Sequence, residues 1–211
     1  MSVARALAER VRGVGVRLGA VPYRPIDTSS PEQWGSEHEA GELAYYGDLR
    51  QLARYSVVAG YIRHLGPEVS ILDVGCGAGL LAERLGATPY RRYLGIDPVA
   101  PAIEQAARLA DGRTDFRVAE RPSPELGEFD VVVCNEVIYC APDPARLLDD
   151  IQAMLPAGGN LLTSIWRHPT EVGLYRLIDA RFELVDAVVA RNLTAETGDP
   201  GWRVAWHRRR D

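Results

Sequence analysis

The residues best suited to chemistry stand in the stretch ILDVGCGAGL, residues 71–80. An apolar run ends in Asp73, and Gly75, Gly77 and Gly79 follow at alternate positions. Glycine admits positive φ and lets a ligand approach the backbone closely. A glycine turn leaving a buried strand is where Rossmann-type sheets take nucleotide-like ligands. A dinucleotide fingerprint would need G-x-G-x-x-G. Counted from Gly75 the third glycine falls on Leu80, and counted from Gly77 it falls on Ala82. The spacing is therefore G-x-G-x-G. Asp73, just ahead of it, would disfavour a pyrophosphate and suits a ligand bearing an ammonium or sulfonium cation. A second acid, Asp97, closes the later run YLGID, about 18 residues after the last glycine of the loop.

Positioning these groups needs alternating elements. Leu49, Leu52, Ala53, Val57, Tyr61 and Leu65 recur at three- and four-residue steps, which predicts a helix over 48–65 with that face inward. Gly66-Pro67 ends it. Strands are expected over 69–74, 93–97, 115–119, 129–134 and 160–166. Helices are expected over 80–85, 101–109, 144–154 and 171–180. Only a loop joins the last two strands, 182–191 and 202–208, so they should be antiparallel neighbours at the sheet edge. The expectation is an α/β fold: a Rossmann-like seven-stranded mixed sheet, mostly parallel with an antiparallel edge strand, and helices on both faces. Residues 1–47 read as an N-terminal segment that forms a substrate lid, and 48–211 as the ligand-binding domain. Val3, Leu7 and Val11 could share one side of an opening helix, while 21–47 reads as irregular.

The D-x-G-x-G-x-G spacing resembles the first motif of class I S-adenosylmethionine-dependent methyltransferases. The resemblance runs from about residue 72 to 166. It implies S-adenosylmethionine as cofactor and S-adenosylhomocysteine as product. It implies donor contacts from Asp73, Gly75, Cys76, Gly77 and Gly79, and from Asp97 and Pro98 at the ribose. Ala119 and Glu120 fall where the family often has Gly-Asp near the adenine, so Glu120 departs from the pattern. FDVVVCNEVIY resembles the fourth strand, with Asn135 and Glu136 at its end, and LPAGGNLLTSIW the fifth. NEVIY looks like the version common in small-molecule methyltransferases. There is no [N/D]-P-P-[Y/F] motif, which counts against a nucleic-acid or protein-glutamine acceptor.

Methyl transfer from a sulfonium expels a neutral thioether, so donor and acceptor mainly need alignment. An oxygen acceptor usually needs a base as well. His168, directly after the fifth strand, is the leading base candidate. Tyr139 could orient the acceptor, and Glu136 could close over the donor. Trp34, His38, Tyr45, Tyr46, Arg54 and Trp166 are the expected substrate-binding residues. The structural alternatives are open for each: His168 as a turn residue, Glu136 as a helix cap, the lid aromatics as simple docking groups.

The chain has 211 residues, 46% of them hydrophobic, which suffices for one α/β domain. All 24 basic residues are arginine and the net charge is -5, a balance that makes nucleic acid an unlikely partner. Cys76, Cys134 and Cys140 have no metal-ligand spacing and cannot all pair, which points to a reducing, cytoplasmic setting. No apolar run approaches a membrane span. The expected partner is a small-molecule acceptor such as a natural product, sugar or amine, and a homodimer stays open. The alternatives are an RNA or protein methyltransferase of the same fold, or a non-catalytic partner subunit.

Overall fold

The computed structural model describes residues 30–167, 171–193 and 201–210. The opening helix expected around Val3, Leu7 and Val11 lies outside them, as does His168.

Seven strands form one sheet: β1 (Ser70–Val74), β2 (Arg92–Asp97), β3 (Thr114–Val118), β4 (Val131–Asn135), β5 (Asn160–Trp166), β6 (Phe182–Ala190) and β7 (Trp202–Arg209). Their order is β3-β2-β1-β4-β5-β7-β6. The first five are mutually parallel, and β7 inserts antiparallel between β5 and β6. The order reverses between β1 and β4, and such a switch point opens a crevice at the strands' carboxyl ends.

Both sheet faces are covered, which is why the central strands read as unbroken apolar runs. Helix α2 (Leu52–Leu65), α3 (Leu80–Leu85) and α4 (Ala100–Ala106) supply one layer, with Val131 and Val133 beneath them. Helices α5 (Pro144–Met154) and α6 (Glu171–Asp179) cover Val132 and Cys134 on the other. Asp143 caps α5 through a carboxylate oxygen that accepts from the Arg146 N–H at 3.0 Å.

Two expectations need correction. The stretch 21–47 is not irregular throughout, because α1 (Pro31–Glu39) and a 3₁₀ helix (Glu42–Gly47) lie in it. Ser30 caps α1, Pro31 stands at its first position and Glu32 in its first turn, so the start signal was present amid loop-like composition. Helix α2 turns inward a face rotated from the expected one: Val57, Tyr61 and Leu65 do pack on the core, but only partly buried. Arg54, Tyr55, Val58, Ala59 and Ile62 are buried, while Leu49 and Leu52 are exposed at 79% and 40%. The inward face includes a charged residue, Arg54, which an apolar pattern cannot show.

Candidate active site

At the carboxyl ends of β1, β2 and β4 lies a cavity of about 510 Å³. The loop after β1 makes one wall. The N–H groups of Gly75 and Cys76 both donate to the Ile96 carbonyl, at 2.8 and 3.0 Å, which ties the loop to β2. Gly75, Gly77 and Gly79 take φ of 68°, 52° and 81°. Their surroundings differ. A Cβ on Gly75 would strike Val137, and one on Gly79 would come within 2.9 Å of Leu109. A Cβ on Gly77 would meet nothing within 4 Å. Gly75 and Gly79 are therefore required by packing, whereas Gly77 keeps a backbone face open to the cavity. That face is a cradle of the kind a ligand fills.

Asp97 stands beside it. One carboxylate oxygen accepts from the Gly77 N–H and the other from the Val99 N–H, each at 2.9 Å. Two of its roughly four acceptor sites stay available, enough for a pair of vicinal hydroxyls. Burial pushes its carboxyl above the usual range, against the pull of the two N–H groups and of His38. Asp73 lies behind the loop rather than on the cavity wall. The Tyr93 hydroxyl donates to it at 2.5 Å, and burial raises it to about 7 with Asp97 adding to the rise. The Tyr93 hydrogen bond, and to a smaller extent the Arg54 charge, draw it back down.

Arg54 is 1% exposed. It donates to Gln51 at 2.9 Å, to Asn135 at 2.5 Å and to the Tyr55 hydroxyl at 3.3 Å, and lies 4.2 Å over the Tyr55 ring. All three hydrogen-bond partners are neutral. A buried guanidinium on the cavity wall, bonded only to neutral groups there, is suited to an anionic group of a ligand.

Glu136 follows β4 with φ 69°, the one positive value among non-glycine residues that are described. One carboxylate oxygen accepts from the Ser164 hydroxyl at 2.8 Å. The other accepts from the Tyr139 hydroxyl at 2.9 Å and the Trp202 indole N–H at 3.0 Å. Burial raises its carboxyl; Arg54 and the three donors oppose that rise. Ser164 and Trp202 were not anticipated. The antiparallel register pairs Ser164 with Val204 and Trp202 with Trp166, so β5 and β7 bring both to Glu136, and no local motif marks them.

The N-terminal segment closes the cavity in two parts. Trp34 and His38, one turn apart on α1, line the donor side with Asp97, Val99 and Ala102. His38 acts on the Asp97 carboxyl, so the structure places it nearer the ribose acid than a purely acceptor-facing role implies. Tyr46 lines the cavity 5.6 Å from the Arg54 guanidinium, and Arg84 fixes that turn by donating to the Gly47 carbonyl at 3.0 Å. Tyr45 stacks on Tyr46 at 4.3 Å and is 45% exposed. Of the expected site residues, Trp34, His38, Tyr46, Arg54, Gly75, Cys76, Gly77, Asp97, Pro98, Asn135 and Glu136 share this wall. Asp73, Gly79 and Tyr139 do not line it, though the Tyr139 hydroxyl donates to Glu136, which does. Ala119, whose N–H donates to the Asp97 carbonyl, Glu120, Tyr45 and Trp166 are not brought to it.

This topology, with a crevice at the switch point, is that of class I methyltransferase architecture. A methyltransferase domain family matches residues 53–204, and the chain belongs to that family. It carries an S-adenosylmethionine-dependent methyltransferase domain. The ubiquinone biosynthesis O-methyltransferase of Acinetobacter baylyi is 31% identical over 120 residues, covering 54% of this chain and 50% of that protein. The chain thus spans about half the length of the curated relatives it matches. The N-methyltransferase NodS from Bradyrhizobium japonicum WM9, in complex with S-adenosylhomocysteine, superimposes with TM-score 0.74 at 20% identity, over 87% of this chain and all of that one. Magnesium protoporphyrin IX methyltransferase from Synechocystis PCC 6803 with bound S-adenosylmethionine gives 0.68 at 17%, covering 85% and 94%.

Proposed function

We propose that the chain transfers the methyl group of S-adenosylmethionine to an oxygen or nitrogen of a small molecule and releases S-adenosylhomocysteine. One observation carries the reading. The open face at Gly77, its neighbour Asp97 and the lid residues Trp34 and Tyr46 all line one cavity, together with Glu136. Donor and acceptor can therefore meet there. The donor brings a cationic sulfonium, which leaves as a neutral thioether. Asp97 would take the ribose hydroxyls and Arg54 the donor carboxylate, while Val99 and Ala102 would flank the adenine. Aligning the two reactants is the main task, and orientation can contribute about 7–11 kcal/mol to such a step.

The lid supports a small acceptor, because the described part of it is a short helix and one 3₁₀ turn. The names of the ubiquinone O-methyltransferases favour oxygen, and that of NodS nitrogen. Cys76 and Cys134 are buried free thiols, which suits a reducing cytoplasm. His168 keeps its place after β5 in the chain as a base candidate, while Glu136 is the carboxylate that lines the cavity. The test is transfer of a labelled methyl group from S-adenosylmethionine to a panel of small phenols, alcohols and amines. Saturable product formation is expected. Donor binding with transfer only to RNA or protein would overturn the reading.

A further inference from the structure

The mechanism above leaves the most constrained side chain of the site without a task. Glu136 sits in the left-handed region, which costs a non-glycine residue about 1–3 kcal/mol. Such strain persists only where the surroundings over-determine it. Here they do. The Glu136 N–H donates to the Ser164 carbonyl at 2.9 Å, and the side chain is gripped by Ser164, Tyr139 and Trp202. An ionised carboxylate offers about four acceptor sites. Three are filled. The fourth belongs to the oxygen bonded by Ser164, and Glu136 lines the cavity.

We infer that Glu136 is the general base of the reaction and that the acceptor presents a hydroxyl group, an inference that rests on the small-molecule reading above. The acceptor hydroxyl donates to the free site of the Ser164-bonded oxygen. As the O–C bond forms, the O–H proton passes to Glu136 and the C–S electron pair returns to sulfur. The sulfonium and the carboxylate both end neutral. Charges separated in a dry cavity are expensive, so a step that removes one of each sign suits this site. An amine acceptor would instead leave a cation behind after transfer. The charged and titratable groups facing Glu136 are Arg54 from α2, Tyr46 from the lid, and Tyr139 and Cys140 from the turn after β4. Of these, Arg54 favours the carboxylate over the acid. Burial works the other way and is the larger effect, which brings the group towards the range where a base is useful. Ser164, Tyr139 and Trp202 are positioning residues.

The experiment follows labelled methyl transfer to catechol, benzyl alcohol and benzylamine, across pH, with the wild-type chain, Glu136→Gln and Trp202→Phe. A general base contributes about 10²–10⁴-fold. Glu136→Gln should lower kcat on the hydroxyl probes by at least about 100-fold, lose the acidic limb of the profile and keep its affinity for S-adenosylhomocysteine. Trp202→Phe removes a donor that favours the carboxylate, so its acidic limb should move up by about one pH unit. If Glu136→Gln transfers at the wild-type rate, or benzylamine is methylated while both hydroxyl probes are not, the inference is wrong and the small-molecule reading survives. A wild-type chain that binds donor but is inert to all three probes overturns both.

Discussion

Strand β4 has a carboxylate at each end, and the two are held in opposite ways. Asp130, just before the strand, is half exposed and accepts from the Ser70 N–H at 2.8 Å, the Ser70 hydroxyl at 2.6 Å and Arg91 at 2.9 Å. Burial pushes its carboxyl up, but those donors and the Arg91 charge outweigh it and hold it low. Glu136, just after the strand, has three donors too, yet burial wins and raises it. Donor count is alike. The difference is the supply of water and of a contacting guanidinium. Asp130 has Arg91 in direct contact, whereas Arg54 bonds Asn135 and influences Glu136 only through its field. The amino end of the sheet is built for stability and the carboxyl end for a ligand.

Breaking the carboxyl end should have the largest effect. Arg54→Met leaves Asp73 and Glu136 without their shared counter-charge and Asn135 without its donor. Loss of a buried charge partner costs about 3 kcal/mol or more, which in a chain of this size lowers Tm by about 6–12 °C. Calorimetric melting reads this, and the loss should shrink as pH falls through about 7, where Asp73 takes up its proton. Gly77→Val separates folding from binding. No neighbour obstructs the new side chain, but it fills the cradle at a φ of 52°. Affinity for S-adenosylhomocysteine should fall at least about tenfold, a change of about 1.4 kcal/mol, with a melting loss of only a few degrees.

The smallest effects sharpen the contrast between the two acids. A carboxyl held low in the fold stabilises above its unfolded pKa, and that gain is lost as pH falls through the folded value. Asp130→Asn should therefore lower Tm at pH 7 by about 2–4 °C, for about 1 kcal/mol. The difference from wild type should shrink as pH falls below the ordinary aspartate range, as the folded carboxyl protonates. A carboxyl raised by the fold does the reverse, since its ionised form opposes folding above the unfolded pKa. Glu136→Gln should leave Tm at pH 7 unchanged or raise it. A clear drop there would show that Glu136 serves the fold rather than the ligand.

Much of this was legible in the residues. The glycine spacing, Asp97 and the alternation of apolar runs define the sheet and the donor wall, because each depends on local backbone demands. Asp73 was read as a ligand-facing acid, and the structure puts it behind the loop on Tyr93. Residue type near a turn does not say which side of the turn a side chain takes. The inward face of α2 was only partly read, because its buried set includes Arg54, which departs from the apolar pattern. The Glu136 cage was unreadable for a different reason. Its members at 139, 164 and 202 meet through the crossover that inserts β7 beside β5, a long-range event with no sequence period. Tyr139 alone lay near enough in the chain to be suspected.

The most direct measurement is titration calorimetry of S-adenosylhomocysteine into the wild-type chain and Asp97→Ala. The cavity account expects saturable one-to-one binding by the wild type. Two lost hydrogen bonds to a charged acceptor, at about 1.5 kcal/mol each, should weaken the variant by about 100-fold. Equal affinity in the two proteins, or no wild-type binding at millimolar ligand, would contradict it.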